Sequence, residues 1–303
     1  MSRIYEALQR ADLERKNAQE QEDQQFADPA VEADIEELPP VKGDFVLSDA
    51  QRHSWKPFSS SFPTLADRGA SVEQFRSLRS RIYQARYEAP LKTILVSSGM
   101  PAEGKSFVTS NLAMSLARNG INHTLLIDGD LRRPTLHKLL GTASSPGLSE
   151  YLAGTAELKD VMQVDTSFKS DETGNAGSLS NLAFIPAGKC GDNSSELVAN
   201  HRIEELVTVL SPHFDWILID SPPVLAVTDA VELARAADAV LLVARGGSTP
   251  YDIAQSAQTT FSNARILGFV INAVKELPRT GSYYYYYYSG KEPGAGSKRR
   301  KEK

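Results

Sequence analysis

The sequence predicts an α/β protein built on a mostly parallel central sheet with helices on both faces, and three observations carry that reading. Five short runs, 93–98, 123–127, 214–220, 239–244 and 267–273, are apolar almost throughout. Continuous apolar runs of strand length belong to a sheet covered on both sides, whereas a half-exposed sheet shows alternation. Stretches with helical spacing lie between these runs, so strands and helices alternate along the chain. Third, a strand, a glycine-containing loop and a helix follow one another directly over 93–118.

A chain of 303 residues with 41% hydrophobic content can bury one sizeable core and have length left over. Its single cysteine, Cys190, allows no internal disulfide and favours a reducing, cytoplasmic setting. No apolar run approaches the roughly eighteen residues of a membrane span. The start, Met1-Ser2-Arg3, has no apolar signal core behind it, so a soluble protein is expected. Residues 1–40 hold eleven Asp/Glu against four Lys/Arg, and the remainder is close to neutral; neither part resembles a nucleic-acid surface.

In chain order, 1–25 carries Ile4, Ala7, Leu8, Ala11 and Leu13 near one face and reads as a short amphipathic helical segment, either solvated or a docking helix. Residues 26–65 are acidic, then Pro- and Ser-rich, and read as a linker. The α/β domain is placed at 66–278. Its first helix starts near Ser71, as N-cap, and runs to about Arg86 with Phe75, Leu78 and Ile82 on one stripe. Glu73, Arg76 and Arg79 follow at intervals of three on another face. By spacing alone they form a surface pair contributing tenths of a kcal/mol, with a subunit contact as the sharper alternative.

The strand 93–98 leads into Gly99-Met100-Pro101-Ala102-Glu103-Gly104-Lys105-Ser106, which fits G-x-x-x-x-G-K-[ST], the phosphate loop of P-loop NTPases. Glycines let backbone N–H groups turn inward, and the helix that follows adds the positive end of its dipole. Lys105 would reach the β and γ phosphates of ATP, and the Ser106 hydroxyl would ligate Mg²⁺. Phe107 is counted in the nucleotide site with the loop. The helix, 106–118, buries Val108, Leu112, Ala113, Leu116 and Ala117 and stops at Gly120.

Strand 123–127 runs into Asp128-Gly129-Asp130, where residues two apart point the same way. In a parallel sheet such strand-end acids lie beside the phosphate loop. Leu131–Gly141 reads as a loop and 147–154 as a short helix; 169–180 is a polar surface loop, 182–186 a strand, and Ser194 or Ser195 caps a helix through Leu210. Strand 214–220 ends in Asp220, a metal-holding acid in this setting, and Ser221-Pro222-Pro223 stops it. Two more buried strands, 239–244 and 267–273, flank a helix at about 250–262. Asn272 either reads the nucleotide base or forms a turn. The tail, 279–303, holds six consecutive tyrosines, Tyr283, Tyr284, Tyr285, Tyr286, Tyr287 and Tyr288, before the basic end Lys298-Arg299-Arg300-Lys301.

Taken together, these motifs resemble the bacterial tyrosine autokinases of the CpsD/CapB type and the cytoplasmic domain of Wzc-type exopolysaccharide kinases. Gly99 to Ser106 matches the family's Walker A motif, Leu125 to Pro134 its Walker A′ block, and Ile217 to Pro223 its Walker B motif. Glu73-x-x-Arg76-x-x-Arg79 matches the family's oligomerisation motif, which moves that triplet toward a subunit interface. Asn193-Ser194-Ser195-Glu196-Leu197 is similar to the family's N-P-S-E-L segment, with Ser194 in place of proline. The resemblance implies an ATP- and Mg²⁺-dependent kinase in which Asp128 takes the phenolic proton and Asp130 and Asp220 serve the metal. The tail tyrosines would be its substrate, in a homo-oligomeric ring regulating polysaccharide assembly or export. It also implies a separate membrane-embedded partner that recruits the protein to the inner face of the membrane. The family's tail spaces its tyrosines with glycines, whereas here they are contiguous. Two competing functions share the fold: a partner-switching ATPase of the MinD/ParA kind, whose loop carries lysine where Met100 stands here, and a non-catalytic nucleotide-binding regulator.

Overall fold

A computed structural model describes residues 47–66, 68–118, 121–166, 179, 181–189 and 194–274. The expected helix at 1–25, the linker before residue 47, the stop at Gly120, the loop at 169–180 apart from residue 179, and the tyrosine tail lie outside the described residues.

The apolar runs become the middle of one sheet. Its strands are β1 (Gln51–His53), β2 (Thr93–Ser98), β3 (Thr124–Asp128), β4 (Gln163–Asp165), β5 (Leu182–Ile185), β6 (Trp216–Asp220), β7 (Ala239–Arg245) and β8 (Ile266–Asn272). They stand in the order β1-β4-β5-β3-β6-β2-β7-β8, and every neighbouring pair is parallel except β4 with β5. β2, β3, β5 and β6 are buried at every residue, which is why their sequences show no alternation. The helices are α1 (Ala70–Glu88), α2 (Lys105–Ala117), α3 (Leu136–Leu140), α4 (Leu148–Leu152), α5 (Leu158–Val161), α6 (Ser194–Ala199), α7 (Arg202–Leu210), α8 (Asp229–Ala234) and α9 (Tyr251–Thr260).

α2 is buried from Val108 through Ala117, including its polar residues Thr109, Ser110, Asn111 and Ser115. Buried polar side chains need partners: the Ser110 hydroxyl donates within the helix to the Phe107 carbonyl, and neighbouring segments serve Asn111. Thr64 donates to Asn111 Oδ1 at 2.8 Å, and Asn111 Nδ2 donates to the Ser61 carbonyl at 2.8 Å. Arg79 on α1 donates to the Ser115 carbonyl near the C-terminal end of α2, where the helix leaves carbonyls without internal partners.

The structure corrects five expectations. Residues 47–65, assigned to a linker, instead contribute β1 and bury Trp55 and Phe62 in the hydrophobic core; three-residue strands are too short to show a period. α1 starts at Ala70, one residue ahead of the expected cap, because Gly69 takes the N-cap position. The helix expected over 194–210 is two helices, broken where His201 adopts φ 60° and Asn200 Oδ1 accepts the Arg202 N–H at 3.2 Å. α3 occupies part of the expected loop 131–141. Finally, β8 is an edge strand with Phe269 and Ile271 exposed, not a buried one.

Candidate active site

β3, β6 and β2 are neighbours in the sheet, and their register sets Asp128 opposite Asp220 and Asp220 opposite Val96. Parallel strands bring their carboxyl ends to one edge, so both acids come to lie beside the loop that follows β2. Gly129 makes this closeness possible: its N–H donates to the Asp220 carbonyl at 2.8 Å, and a Cβ there would stand 2.7 Å from that oxygen.

Asp128 and Asp220 have no solvent exposure. Asp128 Oδ2 accepts the N–H groups of Leu136 at 3.1 Å and Thr135 at 3.2 Å, while its Oδ1 is buried with no hydrogen-bond partner among the described residues. Burial first, and then the nearby Asp220 charge, push its pKa well above the usual carboxylate range, with the two N–H groups opposing. Asp220 Oδ1 accepts the Thr109 hydroxyl at 3.1 Å, and its Oδ2 likewise has no partner among the described residues. Burial raises its pKa too, although Lys105 and the hydroxyls of Ser106 and Thr109 pull the other way.

Lys105 Nζ lies 3.0 Å from Asp130 Oδ2 and 3.5 Å from Ser106 Oγ. Burial opposes its charge, but Asp220 and Asp130 outweigh burial and raise its pKa, so the ammonium is retained. Asp130 Oδ1 accepts the Arg133 N–H at 3.0 Å. The loop itself is held from the far side. Gly104 has φ 92° and carries the N-cap of α2, and a Cβ there would meet Asn272 Nδ2 at 2.0 Å. Asn272 Nδ2 donates to the Glu103 carbonyl at 3.0 Å, so Asn272 touches the loop backbone.

Lys105, Ser106, Asp128, Asp130, Asp220 and the loop 99–106 thus converge as the sequence implies. Phe107 packs edge-on against Phe75 of α1 at 6.0 Å between centroids. Glu73 and Arg76 pair within α1, and Arg79 is engaged with α2, so the surface-pair geometry is realised within one chain. Tyr283 to Tyr288 lie outside the described residues. The sequence reading missed Thr109, although a threonine among the apolar positions of α2 was a usable signal. It also missed a neighbouring clasp in which Arg132 pairs with buried Asp229 at 2.9 Å while Ser195 donates to Asp229 Oδ1 at 2.9 Å.

Asp220 Oδ2, buried without a partner among the described residues, fits a hard divalent cation together with the nearby Ser106 hydroxyl. No three His, Cys, Asp or Glu side chains converge on one metal position among the described residues, so phosphate oxygens and water would have to complete its shell.

No protein-family model matches the chain. Among solved structures it is similar to the kinase domain of the Escherichia coli tyrosine kinase ETK. That match is 32% identical, covers 76% of this chain and 86% of that one, and has a TM-score of 0.66. It is also similar to the BceF tyrosine kinase domain, 34% identical over 66% of this chain and 76% of that one, with a TM-score of 0.57. Among curated relatives, the tyrosine-protein kinase etk of Escherichia coli K12 is 34% identical over 234 residues, and the tyrosine-protein kinase wzc of Salmonella typhimurium 32% over 206. These matches cover 76% and 67% of this chain, yet only 30% and 27% of the relatives. The chain therefore spans less than a third of the length of the curated relatives it matches.

Proposed function

We propose, because the chain belongs to the family of bacterial tyrosine-protein kinases, that it is an ATP- and Mg²⁺-dependent protein-tyrosine autokinase acting on its own tail. The observation that carries this reading is the pair of buried oxygens without a hydrogen-bond partner among the described residues, Asp128 Oδ1 and Asp220 Oδ2, together with a retained Lys105 ammonium. Ser106 and Asp220 would hold Mg²⁺, with Asp130 beside them, and the bound ion supplies charge neutralisation at the transferring phosphoryl group.

The chain's own residues do the rest. Asp128 is fixed through Oδ2 by two backbone N–H groups, which leaves Oδ1 to accept a proton. A carboxylate with a raised pKa is a better base for a phenol, whose ordinary pKa is near 10. Lys105 stays charged and is held in waiting by Asp130 for the β and γ phosphates. Tyr283 to Tyr288 follow β8 closely: Tyr283 is nine residues beyond Val274, a reach of up to about 30 Å if extended. Such a reach serves the molecule's own site or a neighbour's.

By family resemblance, the kinase is proposed to regulate assembly or export of an extracellular polysaccharide. It would do so as a homo-oligomer using Glu73, Arg76 and Arg79, at the inner face of the membrane with a membrane-embedded partner. No helix among the described residues is long and apolar enough to cross a membrane.

The test is to incubate the full chain in Mg-ATP, with and without a cytoplasmic fragment of such a partner, and to map phosphotyrosine. Label is expected on one or more of Tyr283 to Tyr288, and Lys105→Met should reduce it at least about a hundredfold. An unlabelled tail, or label that survives Lys105→Met, would overturn the reading.

A further inference from the structure

The phosphate loop contains a residue that ought not to sit there easily. Ala102 has φ 64°, in the left-handed region that disfavours any residue with a Cβ. Such a conformation persists only where its surroundings over-determine it. Here the surroundings are the segments that leave β7 and β8. The Arg245 guanidinium donates to the Ala102 carbonyl at 3.3 Å, and Asn272 Nδ2 donates to the Glu103 carbonyl at 3.0 Å.

The Glu103 side chain closes the arrangement. It is only 4% exposed; Oε2 accepts the Met100 N–H at 2.8 Å across the turn, and Oε1 accepts the Thr249 hydroxyl. Thr249 Oγ1 in turn accepts the Arg245 N–H at 2.8 Å. A hydroxyl has one proton to give and lone pairs to accept with, so Thr249 uses both functions at once. Gly246 N–H donates to the Asn272 carbonyl at 2.8 Å, which ties the two outer segments to each other. Within the turn Glu103 holds Met100, and the Ser98 hydroxyl donates to the Met100 carbonyl at 2.9 Å; among the described residues, the ties that reach Ala102 and Glu103 from outside the loop run to Arg245, Thr249 and Asn272.

We infer that Glu103 and Thr249 form a clamp, completed by Arg245 and Asn272, that presets the phosphate loop for nucleotide. Thr249 acts through Glu103 and is a positioning residue. The inference rests on the nucleotide-binding reading of the site, though not on phosphoryl transfer. Its consequence is that affinity for phosphates is set partly by a side chain on the turn after β7, well along the chain from the G-x-x-x-x-G-K-S motif.

The test is calorimetric titration of the full chain with Mg-ADP, which reads binding without turnover. Thr249→Val, similar in size but without the hydroxyl, should weaken binding about five- to thirtyfold. Thr249→Ser, which keeps the hydroxyl, should stay within about threefold of the wild type. Ala102→Gly removes the backbone penalty, so adding it to Thr249→Val should recover part of the loss. A purely structural loosening would lower the melting temperature and gain nothing from that second change. Wild-type affinity in Thr249→Val, equal losses for serine and valine, or no recovery with Ala102→Gly would each overturn the clamp. If the wild type itself takes up no Mg-ADP, the nucleotide reading fails and the clamp falls with it.

Discussion

At the scale of single residues, the site trades stability for readiness. Asp128 and Asp220 are fully buried register partners on adjacent strands; burial makes both costly to ionise, Asp220 adds to that cost for Asp128, and Asp130 adds to it for both. Asp128→Asn keeps the shape and still offers an oxygen to the N–H groups of Leu136 and Thr135, while its amide can donate toward Asp220. It should stabilise the nucleotide-free protein by about 0.5–2 kcal/mol and abolish tyrosine phosphorylation. Urea denaturation checks this, and a midpoint below that of the wild type would contradict it. The acids, the lysine and the glycines were legible in the sequence because each stands in a motif with fixed spacing at a strand end. Thr249 was not, since its role comes from chain closure over 146 residues, and the N–H groups on Asp128 were not, since a backbone donor carries no residue-type signal.

At the scale of elements, legibility followed length. Runs of five or more apolar residues were read nearly to the residue, as with β2 at Thr93–Ser98, whereas the three-residue strands β1 and β4 and the short helices α3, α5 and α8 carry too few residues for any period. Such short elements depend on specific polar ties, and α4 shows how. Glu150 accepts four hydrogen bonds: from Gly147 N–H at 2.8 Å, Lys189 N–H at 3.0 Å, Ser149 Oγ at 3.0 Å and Ser145 Oγ at 3.1 Å. Burial would raise its pKa, but the N–H groups of Lys189 and Gly147 and the Ser149 hydroxyl outweigh burial and lower it from the ordinary 4.5. A depressed carboxylate stabilises the fold above its unfolded pKa and loses that contribution as pH falls through the folded value. Glu150→Gln should therefore cost about 1–3 kcal/mol at neutral pH. The gap from wild type should close as the pH falls below about 4.5, toward and through the lower folded value. Thermal melts of both proteins from pH 7 to pH 3 measure it, and a gap that widens on acidification would refute the assignment.

At the scale of the whole molecule, the sequence suggests a domain starting at 66, and the fold disagrees. A linker is inferred from polarity and turn residues, yet 47–65 hides its two large anchors, Trp55 and Phe62, among such residues, and only the tertiary fold reveals what they pack against. Phe62 is 1% exposed, Trp55 packs edge-on to Phe184 of β5 at 6.2 Å between centroids, and β1 pairs in parallel with β4 at the sheet's edge. The same segment satisfies Asn111 inside α2, the helix that begins at the phosphate loop. Losing a buried Phe or Trp side chain costs about 3–5 kcal/mol, against total stabilities of about 5–15 kcal/mol for ordinary domains. A chain beginning at residue 66 would lose both aromatics, the β1 pairing and two partners of a buried asparagine. It should therefore melt at much lower temperature than a chain beginning at residue 47, or not fold cooperatively, and its Mg-ADP affinity should fall because α2 is no longer held from that side. Equal melting midpoints for the two chains would show that 47–65 is an ornament on a domain already complete without it.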